Sequence, residues 1–102
     1  MDRYRPSDLS KDAAFDLARE EQRRIVVGLL LEGSREWDLR ALADATVRER
    51  AGGAEREASD RTLLTLRHRD LPKLAAAGVV DYDADDRTVA PGERIEDLEP
   101  LV

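Results

Sequence analysis

The chain contains no cysteine, so disulfides and thiolate metal centres are excluded. It holds a single histidine, His68, which rules out a zinc site built on a histidine pair. Lysine is almost missing: Lys11 and Lys73 are the only two, and every other base is arginine. Aromatic residues are scarce, at 4%. No apolar run approaches the ~20 residues needed to cross a bilayer. The start, Met1-Asp2-Arg3-Tyr4-Arg5-Pro6, is polar and lacks the apolar centre of a signal peptide. The expectation is a cytoplasmic chain with no membrane partner.

What the chain does have is charge. Charged residues make up 39% of its 102 residues, with 23 acids against 17 bases and a net charge of −6. Its length is that of one domain, and a domain of roughly this size buries enough apolar surface to fold without metal or disulfide staples. The mixture of abundant aspartate, arginine in place of lysine, and alanine at apolar positions resembles the proteins of haloarchaea. Short acidic side chains hold water and hydrated cations in molar salt. A GC-rich genome accounts for arginine over lysine but not for the excess of aspartate.

Residues 1–9 read as a flexible N-terminal arm, 10–92 as the folded domain and 93–102 as a C-terminal tail. Ser10 is a good N-cap and Asp12 suits the first turn of a helix. The apolar positions Ala13, Ala14, Leu17 and Ala18, then Ile25, Val26, Leu29 and Leu30, predict one helical stretch ending at Gly33. Trp37 is placed against the core in a short connection. Asp38 caps a second helix with its stripe at Leu39, Leu42, Ala43, Thr46 and Val47, broken by Gly52-Gly53. A third helix is predicted from Glu57 to Ala77, stopped by Gly78. Leu64, Leu71, Leu74 and Ala75 form its apolar side, and Thr62, Thr65, Arg69 and Lys73 the opposite one. Leu66 and Arg67 fit this division poorly. Pro72 forces a kink or restart, with Asp70 as a local cap. Val79-Val80-Asp81-Tyr82 and Arg87-Thr88-Val89 then read as the arms of a β-hairpin over 79–90, with Asp83 to Asp86 as its turn.

The predicted fold class is mainly α with a small β-hairpin, and three helices followed by a hairpin is the winged helix-turn-helix order. In that arrangement the helix before the hairpin lies in the DNA major groove and the hairpin reaches the phosphate backbone. The run Leu71-Pro72-Lys73-Leu74-Ala75-Ala76-Ala77-Gly78-Val79-Val80-Asp81-Tyr82-Asp83 resembles the helix-to-wing ending of ArsR-like and MarR-like winged-helix regulators. Residues 66–83, with Arg23-Arg24-Ile25, resemble more closely an uncharacterised haloarchaeal winged helix-turn-helix family, over roughly residues 13–90. The link between the second and third helices, near Val47 to Glu57, is longer than the tight turn of a typical helix-turn-helix, a feature the haloarchaeal family shares. Asp70 stands where that family has a second histidine. The resemblance implies a fold and a DNA-binding role, and no established activity.

The expected DNA-binding residues are Arg61, Thr62, Thr65, Arg69 and Lys73 on the third helix and Arg87 beside the hairpin turn. Residues 61–73 carry four bases against the single acid Asp70, a basic island on an acidic chain. The plain reading of the same residues is a solvated helix face. On the DNA reading, arginine and lysine contact phosphates or guanine, and threonine contacts phosphate or a thymine methyl. His68 is expected at the edge of the core, packed and hydrogen-bonded. The acidic turn Asp83–Asp86 argues against DNA contact by the wing. It points to the alternative, a protein-interaction module that kept the fold and lost DNA binding. Phe15 and Leu17 point to opposite sides of the first helix, and Leu98, Leu101 and Val102 add apolar surface. These five are the expected homodimer interface. Neighbouring acids such as Glu20-Glu21 and Asp85-Asp86 lack a nucleophile or base partner, and Gly52-Gly53 lacks the residues of a phosphate loop. No enzyme activity, cofactor or metal is expected; the expected partners are double-stranded DNA and a second copy.

Overall fold

The single N-terminal helix expected from the sequence is two helices. The computed structural model describes residues 9–33, 35–52 and 56–102. In it α1 runs Lys11–Ala18, with the Ser10 hydroxyl accepting from the Ala13 N–H at 3.1 Å, and α2 runs Glu21–Gly33. The break at Arg19-Glu20 is held from the far side. The Arg23 guanidinium donates to the carbonyls of Leu17 and Asp16, at 2.7 and 3.0 Å, and Arg24 donates to those of Ala18 and Arg19. The carbonyls left open at the end of α1 are thus satisfied by arginines of the next helix. Most of the expected arm lies outside the described residues; Leu9 is tied by its N–H to Asp97 Oδ2 at 3.0 Å.

The connection holding Trp37 contains a strand the sequence did not announce. β1, Trp37–Asp38, is two residues long and pairs antiparallel with β3, Thr88–Pro91, which also pairs with β2, Val80–Asp83. The sheet order is β1-β3-β2, with Tyr82 and Trp37 both opposite Val89. Two residues are too few for a period-2 pattern, so only tertiary pairing defines this strand.

α3, Leu39–Ala51, follows the expected plan. Asp38 caps it, accepting from the Ala41 N–H at 3.0 Å, and Leu39, Leu42, Ala43, Thr46 and Val47 are all buried. Gly52 closes it in the left-handed conformation at φ 78°. α4, Arg56–Thr65, packs along α3. The expected link from Val47 to Glu57 is helical at its two ends, with α3 reaching Ala51 and α4 starting at Arg56; residues 53–55 of it lie outside the described residues.

The third helix is not continuous. Between α4 and α5, Leu71–Ala76, residues Leu66–Asp70 form a π-helical turn. It lies just ahead of Pro72, which lacks an N–H and whose ring crowds the carbonyl four residues back. A π turn takes in an extra residue and so rotates everything after it. The face chosen from the sequence is right after the turn, where Leu71 and Leu74 are buried, and wrong before it, because one straight wheel cannot serve both sides. Leu64 is 53% exposed, whereas Leu66 is fully buried with Ser59, Thr62, Asp70, Leu71 and Leu74. Asp70 makes no capping bond.

Gly78, at φ 79°, turns the chain from α5 into β2. Gly92 passes so close to it that an added Cβ would lie 2.5 Å from the Gly78 carbonyl oxygen. The tail then forms a 3-10 helix, Ile95–Leu101, that packs on α1 and α2 and buries Ile95 and Leu98. Leu17 and Leu98 are core residues of this chain, which corrects their assignment to a dimer interface. Leu101 is half-buried, while Phe15 and Val102 remain exposed. Among the described residues, no helix is long and apolar enough to cross a membrane.

Candidate nucleic-acid interface

The six residues expected to contact DNA do not share a surface. Thr62 is 3% exposed, and its hydroxyl accepts from Arg50 Nη2 at 3.4 Å. It belongs to the core side of α4 and has no route to a base edge. Thr65 is half-buried and donates its hydroxyl to the Arg61 carbonyl at 3.0 Å. Arg69, within the π turn, and Lys73, beyond it, face acids of α1 and of the α1–α2 junction. Lys73 Nζ lies 2.8 Å from Asp16 Oδ2, and Arg69 bridges Asp70 Oδ1 at 3.1 Å and Glu20 Oε1 at 4.0 Å. The hydrogen bond from Lys73, then its charge and those of Arg19 and Arg23, hold the Asp16 carboxyl below its ordinary range.

Behind Arg69 lies a buried polar network. Asp70, fully buried, accepts from Gln22 Nε2 at 2.7 Å, Arg23 Nη1 at 3.3 Å and Arg69 Nε. Gln22 in turn accepts from Arg50 Nη1 at 3.1 Å, and Arg50 reaches Thr62. The network ties α2, α3, α4 and the π turn together. A carboxylate buried this deeply needs its charge partner and its hydrogen bonds. Asp70 thus serves the fold, in place of the capping role expected for it.

Of the expected residues, Arg61 and Arg87 are exposed without an ion pair to another described residue, and the structure adds others. Arg61 is exposed on α4, and Leu64, Thr65 and His68 follow it at helical spacing to make an outward stripe. His68 is exposed, not packed at the core edge as expected. Beside the stripe, Arg67 and Arg87 line a hollow of about 200 Å³ with Asp38, Leu39, Arg40 and Leu63. Arg87 sits at positive φ, 57°, at the end of the hairpin turn, and its carbonyl accepts from the Leu39 N–H at 2.9 Å. That bond fixes the hairpin against the start of α3. Arg61, Arg67 and Arg87 make no ion pair with another described residue, whereas Arg40 is bound to Asp60 at 2.8 Å.

Sequence reasoning missed Arg40, Leu64, Arg67 and His68. The signal was present in the two misfits, Leu66 and Arg67. Taking Leu66 for the core in place of Leu64 turns Arg61, Leu64 and His68 outward, and only the π turn then brings Leu71 and Leu74 to the same core.

The hairpin turn is organised by its own acid. Asp83 Oδ1 accepts from the N–H groups of Asp85 and Asp86 at 3.0 and 3.1 Å. Asp85 and Asp86 are exposed, and on the outer side of the sheet Glu36, Asp81, Asp83 and Asp86 line an open, acidic groove with Tyr82. Opposite charges therefore flank the hairpin. Among the described residues, no three acids or histidines are placed to hold a metal ion.

A family model described as a domain of unknown function, DUF7344, matches residues 15–90. No curated protein and no solved structure matches the chain.

Proposed function

Since the chain belongs to the DUF7344 family, whose description names no activity, its role rests on its own side chains, and we propose that it is a DNA-binding regulator of winged helix-turn-helix type. In this reading α3 and α4 are the helix-turn-helix, α4 enters the major groove, and the β2–β3 hairpin is the wing. Arg61, Leu64, Thr65 and His68 meet base edges, an exposed leucine being suited to a thymine methyl and arginine to guanine. Arg67 and Arg87, with Arg40 in the first turn of α3, meet phosphates. The carrying observation is that the outward stripe of α4 and the adjoining wing residue hold arginines without ion partners among the described residues. The chain acts as a homodimer in the cytoplasm in this reading, with exposed Phe15 and Val102 as its remaining interface residues.

The net charge of −6 shapes how such binding responds to salt. A basic domain releases counterions at each phosphate contact, and its affinity falls steeply as salt rises. Bringing the acidic turn to DNA requires cation uptake, which opposes that release, so the slope is expected to be shallow and binding to persist in molar salt. Titration of genomic duplex fragments across a potassium chloride series tests this. Absence of binding at every salt concentration rejects the proposal. The acidic groove along Glu36, Asp81, Asp83 and Asp86 favours the second reading, a protein-interaction module.

A further inference from the structure

A second hollow, of about 340 Å³, opens between α3 and α4 and is lined by Arg40, Asp44, Arg48, Arg56 and Ser59. Ser59 is 2% exposed, and its hydroxyl has no hydrogen-bond partner among the described residues. A serine or threonine inside a helix can return its hydroxyl to the carbonyl four residues earlier. Thr46 does so to Leu42 at 2.7 Å, and Thr65 does so to Arg61. For Ser59 that carbonyl lies outside the described residues, and among those described its buried hydroxyl has no partner, which is unfavourable until something supplies one.

The walls indicate what that partner would be. Arg48 and Arg56 are exposed and make no ion pair with another described residue. They project from the last turn of α3 and the first residue of α4. The N-terminal turn of α4 adds its own partial positive charge to the same end. Asp44 is the one acid in the lining, against Arg48, Arg56 and Arg40, the last already paired with Asp60. Guanidinium groups match the oxygens of a phosphoryl group as paired donors. Arg40 lines this hollow and also the one shared with Arg67 and Arg87. Arg40 is thus the residue common to the two hollows.

We propose that the hollow between α3 and α4 is a phosphoryl-oxyanion site, with Arg48 and Arg56 as its charged donors and Ser59 as its floor. Where the oxyanion is a backbone phosphate of duplex DNA, the site rests on the function proposed above and anchors the helix-turn-helix on one strand. Where it is a free phosphoryl compound, the site stands without DNA.

Two arms separate these cases. In the first, inorganic pyrophosphate is titrated into the full chain by calorimetry. In the second, duplex DNA is titrated at two salt concentrations. Both use the wild type, Arg48→Ala/Arg56→Ala and Ser59→Ala. The double variant is expected to abolish pyrophosphate binding. Ser59→Ala is expected to weaken it by roughly tenfold, the worth of a hydrogen bond to a charged group. A serine serving only the packing would shift the unfolding midpoint and leave affinity unchanged. Pyrophosphate binding without DNA binding supports the site and rejects the DNA reading. DNA binding weakened by the double variant, with a smaller salt slope, supports a backbone phosphate as occupant even where pyrophosphate does not bind. Wild-type affinities for both probes that survive in the double variant overturn the proposal, as does a wild type that binds neither probe.

Discussion

The helical segment from Arg56 to Ala76 has two halves that look alike in sequence and differ in what they present. Before the π turn, Arg61 stands in solvent, and within it Arg67 and His68 do the same. Arg69, the next residue of the same turn, and Lys73 after it are also exposed, yet each lies against an acid of α1, of the α1–α2 junction or of the π turn itself. The first half offers positive charge to a ligand, while the second has spent most of its charge inside the chain. The difference arises from one extra residue in a turn of helix, which carries the later bases round toward Asp16 and Glu20. A basic island counted along a sequence is therefore not the field seen by a polyanion.

The largest effect separating the halves is expected at Asp70. Replacing it with alanine leaves Arg23 buried without its counter-charge, and urea unfolding is expected to show a loss of about 3–5 kcal/mol. A loss below about 1 kcal/mol would mean that the network contributes little, and that the second half is open to ligands after all. Leu66 and Leu64 sharpen the phase of the helix. Leu66→Ala removes a fully buried side chain and is expected to cost about 2–5 kcal/mol. Leu64→Ala, at an exposed position, is expected to stay within about 0.5 kcal/mol. Equal losses at the two sites would restore the unrotated helix.

The smallest effect concerns acid. Lys73 lowers the Asp16 pKa, so this pair stabilises the fold fully above the ordinary carboxylate value of about 4. Its contribution fades as pH falls through the lowered folded value. Both groups are solvent-exposed, so the contribution is small. Thermal unfolding of Asp16→Asn is expected to show a slightly flatter decline below about pH 4 than the wild type. An unchanged acid limb would place Lys73 free in solution, like Arg61.

Much of the fold is written locally. The Ser10 and Asp38 caps, the α3 stripe, the Gly78 stop and the hairpin each follow from a few adjacent residues and stand where the sequence put them. What was not legible depends on distant partners. β1 exists only because Val89 and Thr88 lie beside it. The break between α1 and α2 is stabilised by Arg23, whose other partner is 47 residues away. The candidate site shows the same division. Arg61 and Arg87 could be picked by charge and position alone. Thr62, Arg69 and Lys73 were misread because their surroundings come from other helices, while Arg40, Arg48 and Arg56 gather only once α3 and α4 are packed together.

The most direct test is a paired titration of one duplex DNA at fixed salt, comparing Arg61→Ala/Arg67→Ala with Arg69→Ala/Lys73→Ala. The first pair is expected to lose about 1–3 kcal/mol for a base contact made by Arg61. It should also lose about one unit of salt slope for the phosphate met by Arg67. The second pair is expected to bind within about 0.5 kcal/mol of the wild type, as changes away from an interface do. The opposite ranking, with Arg69 and Lys73 carrying the affinity, would contradict the account.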